Sequence, residues 1–270
     1  MTSIKIRRYE DDDEEEVKEI FTLGMSEHVP TSFVHLLKQP PTQMLLMSWF
    51  RIREYRDSDY PVVREVYSTG FREHVGAIFI LSLQQRWAQA LLFGLFLLLF
   101  FLFESVLVSL LGLSGVLLVG WMIVHHLFNQ GVQLGLREDL KDIHASYMLP
   151  GRISRFWVAE SEGHVVGTVG ILPCVGEPGA WELKRISVRK EFRGRGLAKR
   201  LCQTALQFVA NQKVERVVLF TSMVQSDAHR LYHSLGFRKE EEFVWPSLPA
   251  KLIHFLVFKY AYTVNTVGSH

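Results

Sequence analysis

Two cysteines, Cys174 and Cys202, are all the sequence contains. They are too few for a disulfide framework, and neither stands in a Cys-x-x-Cys pair or beside histidines at ligand spacing, so no metal is expected. A reducing, cytosol-facing compartment suits such a chain. A charge excess of one sign is missing too: 30 Lys and Arg against 28 Asp and Glu leave a formal net charge of +2. No stretch interleaves basic and aromatic side chains, so no nucleic acid partner is expected. Where a signal or transit peptide would be basic, the N-terminus carries the acidic run Asp11 to Glu16, and no cleaved leader is expected.

Apolar residues are in excess, at 48% of the chain, and the excess is local. Leu91 to Val124 contains one ionisable side chain, Glu104. A bilayer crossing takes about 20 apolar residues, so a single span would leave a surplus and would bury Glu104 at a cost of about 2.5 kcal/mol or more. Two helices, from about Trp87 to Phe103 and from Val106 to about Phe128, place Glu104 and Ser105 at the turn instead. The run Leu91 to Phe103 has no polar face, which a helix at the surface of a soluble protein would show.

The front of the chain is duplicated. Ile6 to Val29 and Ile52 to Val75 align without a gap, sharing Ile, Arg, Tyr, two Asp, Val, Glu, Gly, Glu, His and Val in order. Each copy reads as a strand (Ile4 to Tyr9; Phe50 to Tyr55), an Asp-rich helix start and a helix ending near Gly24 or Gly70. Two copies are too few for a solenoid, and one slot in a sheet takes one copy. The second runs directly into the apolar segment and is assigned to the sheet, leaving 1–49 as an accessory element.

Behind the apolar segment the pattern is that of an α/β domain. Arg137 to Tyr147 has helical spacing, Phe156 to Ala159 and Val165 to Ile171 read as strands, and Glu182 to Val188 as another. A helix from about Gly196 to Gln212, a strand Val217 to Thr221, a helix Ser226 to Leu235 and a strand Leu252 to Tyr260 follow. Within Glu182 to Val188 the apolar spacing changes parity: Leu183 to Ile186 is odd and Ile186 to Val188 even, so a bulge near Arg185 would return all three to one face. The strand feeds a loop, Arg193-Gly194-Arg195-Gly196-Leu197-Ala198. Glycines let backbone approach a ligand closely, and the free amides of a first helical turn bind pyrophosphate. The loop is not a Walker loop, lacking the Gly-Lys-Ser/Thr ending, nor a dinucleotide fingerprint, since Lys199 stands where the third glycine would be.

With the second cluster, Ala228-His229-Arg230-Leu231-Tyr232-His233-Ser234-Leu235-Gly236-Phe237, the chain resembles the GNAT acetyltransferases. Their cofactor segment reads R-x-x-G-x-[GA], and their next helix commonly reads A-x-x-L-Y-x-x-x-G-F. Gly24, Met25, Glu27 and His28, then Asp139, Leu140, Asp142, Ile143 and Tyr147, then Phe156 to Glu160 are similar more narrowly to the camello-like group, which includes the cysteine S-conjugate N-acetyltransferases. The resemblance implies an α/β GNAT acetyltransferase fold, a mixed, splayed central sheet with flanking helices, here with an inserted hydrophobic helical hairpin. The expected parts are 50–85 for the first strand and helix, 86–128 for the membrane hairpin, 129–262 for the catalytic core and 263–270 for a tail.

The resemblance also implies acetyl-CoA as co-substrate, with no metal. Arg193, Gly194, Arg195, Gly196, Leu197 and Ala198 would hold its phosphates, and the backbone of Ile186, Ser187 and Val188 would pair with its pantetheine. Gln225, where the family often has Asn, would make a further hydrogen bond. Glu182 is the candidate base, because an alkylammonium acceptor must lose a proton before it attacks a thioester. Tyr232 matches the donor to the departing thiolate, and Lys184 and Arg185 could meet a substrate carboxylate. His229 and His233, one helical turn apart, lack the further ligands a metal would require.

The expected activity is transfer of acetyl to the amine of a small amino-acid-type acceptor such as a cysteine S-conjugate. A protein lysine at the endoplasmic reticulum is the alternative acceptor, and a decayed transferase serving as a membrane scaffold the alternative class. If front strand and rear half share one sheet, the chain leaves and re-enters the bilayer on one side, as a hairpin or a re-entrant loop. Both flanks would face the cytosol, on the endoplasmic reticulum.

Overall fold

The computed structural model describes residues 50–264; the first repeat copy and residues 265–270 lie outside them. A seven-stranded mixed sheet runs in the order β1-β2-β3-β4-β5-β7-β6. Its strands are β1 (Arg51–Glu54), β2 (Arg155–Ser161), β3 (His164–Pro173), β4 (Ala180–Val188), β5 (Arg216–Ser222), β6 (Arg238–Val244) and β7 (Leu256–Thr263). Neighbours are antiparallel except β4 and β5, which are parallel. β2 turns into β3 over Glu162 and Gly163, both at positive φ, the backbone a two-residue hairpin turn requires. β3 is buried from Val165 to Ile171, because both faces of the sheet are covered.

One face is covered by α1 (Tyr60–Arg72) and the end of α4 (Val106–Arg137), whose Val63, Tyr67, Val132 and Leu136 pack with Tyr147, Phe156 and Val158. α5 (Leu197–Asn211) covers the other with Leu201, Ala205 and Val209, and α6 (Ser226–Ser234) adds Tyr232 to the same cluster. The strand that joins the sheet at β1 comes from the second repeat copy. α1 does not stop at Gly70. It continues to Arg72, and Gly70 serves close approach: a Cβ there would stand 2.5 Å from Ser187 Oγ, which donates to the Val66 carbonyl at 3.0 Å.

α2 (Val75–Leu83), an element the sequence pattern did not separate, leads into α3 (Arg86–Phe103). α3 and α4 form the apolar hairpin, turning at Glu104, which takes φ +46, and Ser105, whose Oγ accepts from the Val108 amide at 3.4 Å. Only 6% of the apolar stretch of either helix is buried by protein. At 1.5 Å per residue α3 is about 27 Å long, close to a hydrocarbon core of about 30 Å, and α4 is about 48 Å long.

α4 runs past Phe128 to Arg137, so the helix expected over Arg137 to Tyr147 is absent. In its place a turn leads to a π-helical turn, His144–Met148. Asp142 accepts from the Ala145 amide at 2.8 Å, an aspartate bond to local backbone that competes with helix continuation. Leu140, Ile143 and Tyr147 are nonetheless buried: their spacing reported burial and not backbone. β6, of sequence RKEEEFV, is exposed along its length and gave no alternation to read, as suits a charged edge strand. Residues 252–255 are not strand, because α7 (Leu248–Leu252), capped by Ser247, occupies the start of that stretch.

Candidate active site

β4 and β5 pair over three rungs only, Ala180 with Arg216, Trp181 with Val217 and Glu182 with Val218. Beyond Glu182, β4 continues with β3 alone and β5 with β7 alone, so a wedge opens inside the sheet. Backbone polar groups along such an edge need partners, and a ligand with amide groups can supply them. The bulge in β4 lies in this stretch. Gly170 pairs with Lys184 and Thr168 with Ser187, leaving one extra residue on β4. Arg185 takes φ +57, and its carbonyl accepts from Thr168 Oγ1 at 2.8 Å. Leu183, Ile186 and Val188 thereby all pack in the α5-side core.

The bulge sends the Arg185 side chain to the opposite face, where both Asp139 carboxylate oxygens accept from its guanidinium and Tyr67 Oη accepts at 3.0 Å. Tyr147 donates to the same carboxylate. Burial alone would raise the Asp139 pKa, but the Arg185 hydrogen bond and charge prevail and hold it below the ordinary carboxylate range. Sequence reasoning gave Asp139, Tyr147 and Tyr67 no role. Asp139 and Tyr147 stand in the motif that marks the camello-like group, and that was the available signal. Glu182, on the last rung before the wedge, has a mostly buried carboxylate. Burial raises its pKa, against the opposing charges of Lys184 and Arg185. Lys184 Nζ lies 3.6 Å from Glu182 Oε2.

After β4 a 3-10 turn, Lys190–Phe192, leads into the glycine loop. Gly194 and Gly196 both take φ +74, and Gly196 is the N-cap of α5 with no side chain capping the helix. The first-turn amides at Leu197 and Ala198 are thus left to an anion, with the positive end of the helix dipole behind them. Arg193 is committed elsewhere: Nε donates to the Val188 carbonyl at 2.9 Å, and its two terminal nitrogens donate to Glu73 at 2.6 and 3.0 Å. Arg189 pairs in the same two-pronged way with Glu65. α1 and its end therefore brace the loop, and what the loop leaves free for a ligand is backbone amide. Arg195 is exposed, its guanidinium stacked near the Phe192 ring.

Gln225 stands at the N-cap of α6. Its Oε1 accepts from Thr221 Oγ1, the Ser222 amide and Ser222 Oγ at 3.0, 3.0 and 3.2 Å, so the side-chain NH2 is the group it can offer a ligand. Tyr232 is buried against Phe237 and Tyr260, and burial pushes its pKa far above that of a free phenol, so it stays protonated and can donate a hydrogen bond. His229 is a structural link: its Nε2 donates to the Ser222 carbonyl, so Nδ1 accepts from Tyr260 Oη at 2.9 Å. Among the described residues no His, Cys, Asp and Glu group could hold a metal.

The Acetyltransferase (GNAT) family profile matches residues 121–237. N-acetyltransferase 8 of Rattus norvegicus is 34% identical over 263 residues, covering 95% of this chain and 97% of the relative. N-acetyltransferase 8B of Homo sapiens is 35% identical, covering 95% of each. The Xenopus tropicalis protein named "Probable N-acetyltransferase camello" is 33% identical, covering 98% of this chain and 100% of that one. Splayed strands, uncapped glycine loop and whole-length relatives agree: the chain belongs to the GNAT acetyltransferases, with the N-acetyltransferase 8 and camello proteins.

Proposed function

We propose that this acetyltransferase is a membrane-attached enzyme that acetylates the α-amine of a small amino-acid-type acceptor, such as a cysteine S-conjugate. The observation that carries the acceptor class is the pairing of Glu182 with Lys184: one strand face offers a carboxylate for an ammonium and a cation for a carboxylate, the two ends of an amino acid. Arg185 is consumed by Asp139, so the substrate carboxylate falls to Lys184. A lysine side chain in a protein brings no such carboxylate, which favours the small acceptor.

GNAT enzymes use acetyl-CoA, which supplies an activated thioester. The loop glycines, the uncapped amides and the open wedge fit its phosphates and pantetheine. Glu182 takes a proton from the acceptor ammonium, directly or through water, and the freed amine attacks the acetyl carbonyl. The carbon–nitrogen bond forms, the carbon–sulfur bond breaks with its electron pair going to sulfur, and the second ammonium proton passes to the leaving thiolate, to which the buried Tyr232 phenol donates a hydrogen bond while keeping its own proton. A positioned base contributes about 10² to 10⁴ in rate.

The bare apolar surface of α3 and α4 supports membrane attachment. With β1 on one side of the hairpin in sequence and β2 on the other, yet hydrogen-bonded in one sheet, both flanks lie in one compartment. We place that compartment as the cytosol and the membrane as the endoplasmic reticulum. The test is acetyl transfer by detergent-solubilised enzyme to S-benzylcysteine, aspartate and a lysine peptide. Transfer to S-benzylcysteine that is lost in Gly196→Glu and slowed in Tyr232→Phe supports the reading. Transfer to the lysine peptide alone overturns the acceptor class.

A further inference from the structure

The apolar surface at the base of the hairpin extends beyond the hairpin. Of the five tryptophans among the described residues, Trp157 is buried and Trp181 donates to the Ile153 carbonyl. The other three are exposed, and the segment that carries Trp245 is bonded to Trp87. Trp87, 45% exposed, is in the first turn of α3. Trp121 of α4 meets Phe79 of α2 edge to face at 5.3 Å. Trp245, also 45% exposed, begins the connection from β6 to β7.

That connection is latched to the start of α3. Trp87 Nε1 donates to the Leu252 carbonyl at 3.1 Å, and Gln85 Nε2 donates to the Ile253 carbonyl at 3.3 Å. Its one helical turn, α7, buries Ala250 against the domain and turns Leu248, 72% exposed, and Leu252, 54% exposed, outward beside Lys251. A strand connection facing water is ordinarily built of polar and turn-forming residues. Here exposed tryptophan and leucine with one flanking lysine stand on a segment bonded to the start of a helix that protein leaves almost bare. Indoles and snorkelling lysines are what the headgroup zone of a bilayer accepts.

We propose that the β6–β7 connection is a second membrane contact, with Trp245, Leu248 and Leu252 lying in the leaflet that α3 enters. The proposal rests on the membrane reading of the hairpin. Two attachments fix how the catalytic domain is held against the bilayer, which a hairpin base alone leaves free to tilt. Met223, just past the end of β5, donates its amide to the Leu256 carbonyl at 3.0 Å. The connection and the open end of the β4–β5 wedge thus stand at the same end of the sheet.

The test uses the full chain reconstituted in phosphatidylcholine vesicles, with Cys174→Ser as background and an environment-sensitive fluorophore on Leu248→Cys, Leu98→Cys in α3, or Gln212→Cys at the opposite end of the sheet. We expect the probe at 248 to be quenched by lipid spin-labelled near the headgroup and protected from aqueous iodide. The probe at 98 should be quenched by lipid labelled deep in the chain, and the probe at 212 by iodide alone. Iodide quenching at 248 together with deep lipid quenching at 98 overturns the second contact and leaves the hairpin reading intact. Protection at 248 from both iodide and lipid labels means a second copy covers the site, which also overturns it. Absence of lipid quenching at 98 and 248 alike removes the membrane reading and this inference with it.

Discussion

Two side chains on β4 carry opposite lessons about residue type and role. Glu182 is a carboxylate whose pKa burial has raised. As the base we propose, it must be deprotonated to act, so turnover should fall as pH drops through a value above the ordinary glutamate figure of about 4.3. The kcat profile of Glu182→Gln should lose that limb and sit about 10² to 10⁴ lower. Arg185, two residues past the start of the wedge, acts through Asp139 and positions the bulge. Both side chains of the pair are 10% exposed, and breaking a buried pair costs about 3–5 kcal/mol. Asp139→Asn should therefore lower the thermal unfolding midpoint markedly, together with kcat. Because the folded pKa of Asp139 is depressed, its contribution is complete above the ordinary carboxylate range and is lost as pH falls through the folded value. Glu182 was named from the family resemblance, which implies a base at that strand, and the structure adds a mostly buried carboxylate on the last rung before the wedge. The Arg185 partner was not legible, since it lies 46 residues away and only the bulge turns the guanidinium towards it.

Among the elements, glycines in helix and strand mark where layers touch. An alanine in the middle of a helix ordinarily stabilises by about 1 kcal/mol over glycine. Gly135 in α4 should do the reverse, because a Cβ there would strike Tyr67 Oη and come within 2.7 Å of Arg185 Nη1. Gly135→Ala should thus reduce both stability and kcat. In β3, a Cβ at Gly170 would meet Tyr147 Cε1 at 2.7 Å and Phe156 Cδ2 at 2.9 Å, ring atoms locked in the core. Gly170→Ala should cost about 1–3 kcal/mol by denaturant titration. Period and turn chemistry made most of the sheet legible, including the parity break that the bulge at Arg185 resolves. They failed where backbone and burial part company: Leu140, Ile143 and Tyr147 keep helical spacing without a helix, and β6 is a strand with no face to bury.

At the scale of the whole molecule, the apolar hairpin divides one domain in sequence while the sheet unites it in space. Acceptor sites for glycosylation added before Met1 and after His270 should share one fate, because β1 and β2 pair in one sheet, and on the proposed cytosolic placement both should remain unmodified in cells. Modification of both would reverse the cytosolic placement, and modification of one would break the hairpin reading. The same division bears on how the protein is made. Arg53 in β1 is hydrogen-bonded to Glu160 in β2, 107 residues later, and the hairpin emerges from the ribosome between them. At about 5–20 residues per second, β1 waits on the order of 5–20 s for β2, its sheet neighbour among the described residues. On the proposed membrane reading, α3 and α4 meet the membrane insertion machinery during that interval. If the hairpin is the membrane anchor we propose, biogenesis is ordered: the anchor is set first, and the catalytic sheet closes afterwards on the side where the anchor has left its two ends.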